Sequence, residues 1–328
     1  MMFSLAALPE PSRLGDVLMA FLSIVFEGAP YILVGTVLSG LISAFLDSKF
    51  LDKVLPRNGV LSTLVAGVLG LIFPVCECAV VPVIKRLVQK GLPVSCAVTY
   101  MLAAPIMNPI VAVSTLTAFK EFQKVSGWET LGNATMTLSR LSLGYAVAVI
   151  VGLVVLRFRP EQILKEKLAK AVAEGSTVTC QGEAQLVSFN AKLVHAMRAA
   201  MGDFLDTSMY FTIGVIITAV FNTQVDQSIL NTVASNEWLA LPSIMGLAIV
   251  LSLCSTSDAF IAAPMAVFSM AAKLAFLVFG PMMDIKLLFL YSGVFKGRVV
   301  MALLIGLFIL VGALSEPWMM MIQKLASK

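Results

Sequence analysis

The chain has 328 residues, of which 59% are hydrophobic and 13% are charged, and its mean hydropathy is +0.94. Soluble domains carry about 25% charged residues, and the net charge of +4 gives no reason to expect a nucleic-acid partner. Because lipid forces backbone polar groups to be satisfied internally, and because the alternating pattern of a barrel is missing, we predict an all-α polytopic membrane protein surrounded by lipid.

Apolar runs of about 20 residues predict eight membrane spans. In chain order the spans cover about 17–45, 60–84, 92–119, 134–156, 203–221, 239–272, 274–290 and 299–321. The run 239–272 is too long for one straight span. If the interrupted segments are re-entrant hairpins or separate crossings, the count becomes ten.

A long polar stretch, 157–201, divides the chain into a first transmembrane half, 1–156, and a second, 202–328. Its first part, 160–175, starts with Pro and ends with Gly, which predicts one short amphipathic helix. Lys and Arg concentrate in cytoplasmic loops of membrane proteins. The basic 157–201 stretch is therefore predicted to be a cytoplasmic linker, and the 223–237 loop, which has no Lys or Arg, is predicted to lie outside.

Three signals recur in the same order in both halves. The pairs are "EGAPYILVG" with "DTSMYFTIG", "CEC" with "CSTSD", and "APIMN" with "GPMMD". This recurrence predicts a duplication with helices broken at mid-membrane, either parallel or inverted, and such repeats are typical of transporters whose site lies between them. The expected breaks are at Pro74, Pro82, Pro105, Pro109 and Pro281.

Several acidic residues fall inside the predicted spans, where a charged carboxylate costs about 2.5–3.5 kcal/mol at the bilayer centre. They must therefore face a cavity, be protonated or be paired. Lys273 and Lys286 are the cations predicted near them, and the other Lys and Arg residues are assigned to loops. An acid-rich interior with few cations favours a proton or cation relay. The candidates for proton or ion coupling are Glu27, Asp206 and Asp284.

Two further polar residues inside the spans have both a binding and a structural interpretation. Asp258 is a candidate ligand, or it caps the helix that follows it. Asn108 is a candidate ligand, or it joins two helices by a hydrogen bond. Cys96 lies alone in an apolar run, which is typical of a packing residue.

The motif "FPVCECAVVPV" places Glu77 between two thiols. In a helix, Cys76 and Cys78 would point about 200° apart, whereas in an extended segment they would point the same way with Glu77 opposite. The bracketing prolines disfavour regular helix, so we predict an extended clamp of two thiols, with Cys254 as a possible third. Convergent thiols suit Cu(I), Zn(II) or trivalent arsenic. The alternative is a broken helix with two packing cysteines.

The motifs "FPVCECAVVPV", "LAAPIMNPI" and "CSTSDAFIAAP" resemble those of the ArsP-type permease family, which contains organoarsenical efflux permeases and uncharacterised relatives. The resemblance covers nearly the whole chain and implies a multi-pass protein of the bacterial inner membrane. The residues that fall on family motif positions are Cys76, Glu77, Cys78, Pro105, Asn108, Pro109 and Asp258.

Residues and resemblance together favour a secondary efflux permease for a thiophilic small solute, with trivalent organoarsenicals as the favoured substrate and arsenic resistance as the outcome. The predicted substrate-binding residues are Cys76, Glu77, Cys78, Asn108, Cys254 and Asp258. An exporter of Cu- or Zn-type cations that uses the carboxylates and Asn108 is the alternative, and a thiol redox enzyme is a third hypothesis. The chain has no Walker-type nucleotide signature, and neither enzymatic activity, a resident metal nor a cofactor is expected.

Overall fold

The computed structural model describes residues 13–46, 56, 58–72, 75–126, 133–173, 189–222, 237–265 and 267–326. Within these ranges the chain is helical, apart from its connections and one isolated β-bridge. The first-half helices are α1 (Arg13–Phe45), α2 (Gly59–Ile72), α3 (Glu77–Gln89), α4 (Val94–Ala103), α5 (Pro109–Ser126) and α6 (Asn133–Val155). They are followed by α7 (Pro160–Ile163), α8 (Glu166–Ala173), α9 (Phe189–Asn222), α10 (Glu237–Leu251), α11 (Asp258–Ala262), α12 (Met270–Met282), α13 (Ile285–Ser292) and α14 (Gly297–Ala326).

Five helical stretches in the described ranges are long and apolar enough to cross a membrane: α1, α6, α9, α12 together with α13, and α14. Four shorter apolar helices, α2, α4, α5 and α10, accompany them. The prediction of an all-α polytopic membrane protein is confirmed. The number of crossings, eight or ten, stays a prediction, because helices of this shorter kind do not reach across a hydrocarbon core about 30 Å thick.

Three of the predicted spans are each divided into two helices, and the span 239–272 is divided among α10, α11 and the start of α12. The span 274–290 is divided between α12 and α13. The span 60–84 is divided between α2 and α3, and the span 92–119 between α4 and α5. Pro105 lies in the turn after α4, and Pro109 is the first residue of α5, where its missing N–H costs no helical hydrogen bond.

The other three predicted break positions differ among themselves. Pro281 lies in the last turn of α12, directly before the break at 283–284. Pro82 does not break a helix, because it lies inside the continuous helix α3. Its carbonyl accepts a hydrogen bond from Ser39 Oγ of α1 at 3.1 Å, which ties this turn to the neighbouring helix. Pro74 lies outside the described residues.

The centre of the molecule is formed by α4 and α12, which pack against each other. Every residue of α4 is buried. It packs between α2 and α6, and α12 packs in the same way between α10 and α14. The packing partners of α4 and α12 therefore correspond, as a duplication would require. The duplication and the boundaries of the two halves stay predictions.

The long helices α1 and α9 pack side by side along one flank of the molecule, with α1 also against α3 and α9 also against α13. Each contact with the shorter helix is made through a glycine. A Cβ atom at Gly35 would lie 2.8 Å from the carbonyl oxygen of Ala79, and one at Gly214 would lie 2.8 Å from Cα of Lys286. These two glycines therefore let α1 and α9 approach the helices that begin at the breaks.

The described part of the predicted linker consists of α7 and α8 and the first turns of α9, which begins at Phe189. The single helix predicted over 160–175 is wrong, because the chain leaves the helical path between α7 and α8. There, Lys165 N–H donates to the Val294 carbonyl at 3.0 Å and Lys296 N–H donates to the Ile163 carbonyl at 3.0 Å. These bonds to the connection before α14 replace the helical bonds of that turn.

A thiol-lined pocket at the helix breaks

A small pocket lies where the helix breaks meet the middle of α1 and α9. Three thiols line it, those of Cys76, Cys78 and Cys254. The polar groups of the wall are Glu27, Tyr31, Glu77 and Lys286, and the apolar wall includes Ile24 and Phe211. The structure therefore brings the "CEC" motif and the "CSTSD" motif to one cavity.

The "CEC" motif spans the start of α3. Cys76 is extended, with φ −71° and ψ 165°, whereas Glu77 and Cys78 are the first two residues of the helix. The predicted extended clamp is therefore wrong beyond Cys76. The carbonyl of Cys76 accepts backbone hydrogen bonds from Ala79 and Val80, both at 3.1 Å, and these bonds start the helix one residue after the first thiol.

The carboxylate of Glu77 is buried and shared between the two halves of the chain. Its Oε2 accepts a hydrogen bond from Ser255 Oγ at 3.1 Å, and its Oε1 lies 3.5 Å from Lys286 Nζ. The same ammonium donates to the Ser252 carbonyl at 2.9 Å and lies 3.5 Å from Asp284 Oδ2. Glu77 thus lines the pocket with a buried cation beside it, and does not point away from the thiols as an extended motif would require.

The three candidates for proton or ion coupling occupy different environments. Glu27 lines the pocket. Asp284 caps α13, where its Oδ1 accepts from Leu287 N–H at 2.7 Å. Asp206 is 67% exposed at its side chain and pairs with Lys85 at 3.0 Å. Neither Asp206 nor Asp284 lines the pocket.

The "CSTSD" segment is held by a buried ion pair. Asp258 begins α11, and its two carboxylate oxygens accept from Arg140 Nη1 at 3.0 Å and Nη2 at 2.7 Å. Arg140 also donates to Thr115 Oγ1 at 2.7 Å and to the Ser255 carbonyl at 3.1 Å. Asp258 is therefore engaged by a cation and does not line the pocket.

Arg140 is the functional residue that the sequence analysis missed, because all Arg residues were assigned to loops. It lies inside α6, is 1% exposed, and is among the largest fully buried side chains. The signal was present in "TMTLSRLSLGY", where one Arg interrupts an apolar run. A cation inside the membrane needs an acidic partner, and Asp258 of "CSTSD" is such an acid.

Two other residues considered in the sequence analysis, Asn108 and Cys96, have structural roles. Asn108 is buried just before α5, and its Oδ1 accepts from Ile110 N–H at 3.0 Å. It caps the helix and does not line the pocket. Cys96 is fully buried in α4, with its sulfur 3.0 Å from Ser62 Oγ. Of the six predicted substrate-binding residues, Cys76, Glu77, Cys78 and Cys254 line the pocket.

The part of the chain that the structure describes contains no group of three or more His, Cys, Asp or Glu side chains placed to hold one metal ion. The three thiols therefore share a cavity without forming a closed metal centre.

A multi-span helical protein with broken helices, buried ion pairs and a polar pocket at the breaks belongs to the class of membrane transport proteins. The chain belongs to the ArsP_1 family, described as a predicted permease, whose family model matches residues 13–315. The predicted family is confirmed, and the protein is a multi-pass membrane permease.

Two relatives extend this similarity along most of the chain. The UPF0718 protein YcgR of Bacillus subtilis is 36% identical over 294 residues, which cover 89% of this chain and 92% of the relative. The "Putative two-component membrane permease complex subunit" of Streptococcus mutans is 33% identical over 293 residues, which cover 89% and 91%. No solved structure matches the chain.

Proposed function

We propose that this permease exports a small thiophilic solute, a trivalent organoarsenical in the favoured case. The observation that carries the proposal is the meeting of three thiols, from two distant parts of the chain, in one pocket within the membrane domain. The resemblance to organoarsenical efflux permeases supports the outward direction.

The chemistry of the pocket suits such a solute. A trivalent organoarsenical, R–As(OH)₂, reacts with two thiols to give R–As(S–Cys)₂ and two molecules of water, without any change of oxidation state. The reaction is reversible, so the solute can be taken up on one side and released on the other. Soft thiol ligands prefer this element over hard cations.

The charge of the pocket supports a neutral solute over a metal cation. Glu77 faces Lys286, so a cation entering beside the carboxylate would meet an ammonium group. The residues of the cation hypothesis are also dispersed, since Asn108 caps α5 and Asp258 is paired with Arg140. Binding of a divalent metal would require these groups to be released from their present partners.

We propose that Glu27 is the proton-coupling residue. It lines the pocket beside Tyr31, and within the described ranges it has no ion-pair or hydrogen-bond partner. Asp206 and Asp284 are less suited, because the first pairs with a lysine outside the pocket and the second caps a helix. We further propose a location in the bacterial inner membrane with 157–201 on the cytoplasmic side.

Uptake into everted membrane vesicles tests the proposal. Vesicles that contain the protein should accumulate methylarsenite faster than control vesicles, and they should not accumulate Cu(I) or Zn(II). Cys76→Ser should abolish the uptake, whereas Cys96→Ser, a buried thiol away from the pocket, should leave it unchanged. Accumulation of Zn(II) or Cu(I) but not of the arsenical would overturn the proposal in favour of a cation exporter.

Proton coupling is tested in the same vesicles with and without an imposed pH gradient. The gradient should accelerate uptake by the unsubstituted protein. Glu27→Gln should remove that acceleration, whereas the matched variant Asp206→Asn should keep it. An unchanged response of Glu27→Gln would exclude Glu27 as the coupling residue.

A further inference from the structure

We propose that the thiols that bind the solute are Cys76 and Cys254, one from each of two helix breaks, and that Cys78 is a structural thiol of the Lys286 cluster. The inference rests on the proposed function, because it names the ligands of the same solute. It differs from the motif interpretation, which pairs the two cysteines of "CEC".

The hydrogen bond between Ser255 and Glu77 sets the position of the two segments. Ser255 Oγ donates to Glu77 Oε2 at 3.1 Å, and both side chains are buried. Cys254 directly precedes Ser255, and Cys76 directly precedes Glu77. The bond therefore joins the two segments, and both preceding cysteines line the pocket within electrostatic range of each other.

The thiol of Cys254 is held in place by the turn that contains it. Its carbonyl accepts from the N–H groups of Ser257 and Asp258, both at 3.0 Å. Thr256 Oγ1 donates to its sulfur at 3.5 Å. The Arg140 ion pair with Asp258 fixes the far end of this turn. The thiol is thus preorganised, which reduces the entropic cost of binding.

Cys78 lies on another side of the same helix start. Cys78 is in the first turn of α3, whereas Cys76 is extended and precedes the helix. Cys78 is 4% exposed, and Lys286 is within electrostatic range of its thiol.

The wall of the pocket distinguishes the thiols in the same way. Tyr31, which lines the pocket from α1, is in electrostatic range of Cys254 and Cys76, and also of Glu27 and Glu77. Cys76 is the half-buried member of the three. A solute at the tyrosine therefore lies near Cys76 and Cys254, whereas Cys78 lines the pocket from the first turn of α3.

This pairing has a mechanistic consequence. The solute would join the break before α3 to the break before α11 through two sulfur–arsenic bonds, with loss of two molecules of water. It could then be held only while the two breaks lie side by side. Any movement that separates α3 from α11 would strain the chelate and favour hydrolysis of one sulfur–arsenic bond, in which one water gives a hydroxyl group to arsenic and a proton to the released thiol. The solute would then be bound through a single sulfur and held weakly.

The experiment uses the purified full-length chain in lipid nanodiscs and phenylarsine oxide as the probe. Thiols that the arsenical protects from alkylation by N-ethylmaleimide are identified by peptide mass spectrometry. In the unsubstituted protein, Cys76 and Cys254 should be protected by the arsenical, whereas Cys96, which is fully buried, should stay unlabelled with and without it. This measurement needs no variant and is therefore independent of folding defects.

Affinities of three variants complete the test. Cys76→Ser and Cys254→Ser should each weaken phenylarsine oxide binding by about 10²-fold or more, because a second tethered ligand raises affinity by that order. Cys78→Ser should bind within about threefold of the unsubstituted protein, since its serine keeps a small buried polar group. Protection of Cys76 with Cys78, or normal binding by Cys254→Ser, would overturn the pair while leaving the proposed solute in place. No binding by the unsubstituted protein would contradict both.

Discussion

Replacement of Arg140 by Met gives the sharpest test of how the break that carries Cys254 is held. The guanidinium makes two charge-assisted bonds to Asp258, at 3.0 and 2.7 Å, between side chains that are 1% and 4% exposed. Removing one partner of a buried ion pair leaves the other charge uncompensated and costs about 3–5 kcal/mol. A single charged carboxylate at mid-membrane costs about 2.5–3.5 kcal/mol by an independent scale, so the two magnitudes agree.

The predicted loss is therefore about 3–5 kcal/mol of unfolding free energy for Arg140→Met. Asp258→Asn should lower the unfolding free energy by a similar amount, because it leaves the buried Arg140 guanidinium without its carboxylate partner. The double variant should be more stable than Arg140→Met alone, because it buries no unpaired charge. The unfolding free energy of Arg140→Lys should lie between those of the unsubstituted protein and Arg140→Met. An ammonium keeps the charge but cannot make both bonds in the planar geometry of a guanidinium.

The assay is reversible unfolding in mixed micelles with increasing sodium dodecyl sulfate, followed by tryptophan fluorescence. The free energies of the four proteins form a double-mutant cycle. Additive losses would refute the reasoning, because they would show that the two side chains do not act as a pair. A loss below about 1 kcal/mol for Arg140→Met would do the same, since that is the size expected of an exposed pair.

Two further variant pairs test the packing of the flank. Gly214→Ala should destabilise the protein by about 1–3 kcal/mol, because the added methyl would meet the backbone at Lys286, whereas Gly202→Ala in the same helix has open space around it and should be neutral in the same unfolding assay. Asp203→Asn should be strongly destabilising, because this carboxylate is 2% exposed and accepts from Ser39, Lys85 and Arg86. Asp206→Asn should cost less than about 1 kcal/mol, as expected for an exposed pair; equal losses in the two aspartate variants would contradict this distinction.

The helical membrane architecture could be predicted from the sequence because it depends on sums over many residues. Composition and apolar run length indicate that the chain lies in a lipid bilayer, and a bilayer permits few structures besides helices. The interruptions at 104–108 and 283–284 were also visible, since Pro105, Pro109 and Pro281 restrict the backbone at or beside them. Pro82 shows the limit of this signal, because α3 continues through it and the neighbouring α1 binds its carbonyl.

The conformation of "CEC" could not be predicted in the same way, because it depends on the residue at which the helix begins. The helix begins at Glu77, so the motif is extended for its first thiol and helical for its second. Local sequence gives no means of placing a helix start to within one residue. The site was predicted as two thiols that are neighbours in the chain, with Cys254 as a possible third. We propose instead a pair drawn from two distant segments, and only tertiary structure brings those segments together.

The predicted acid-rich interior requires revision, because the charge balance depends on residues that pattern analysis assigned elsewhere. Counting Glu27, Glu77, Asp258 and Asp284 against Lys273 and Lys286 leaves an excess of two negative charges that would favour a cationic solute. Arg140 reduces this excess to one, and it neutralises the acid of the "CSTSD" break directly. Lys286 serves both Glu77 and Asp284. Glu77, which lies between two of the thiols in the chain, therefore already has a cation beside it. This supports the proposed neutral, sulfur-reactive solute over a metal cation.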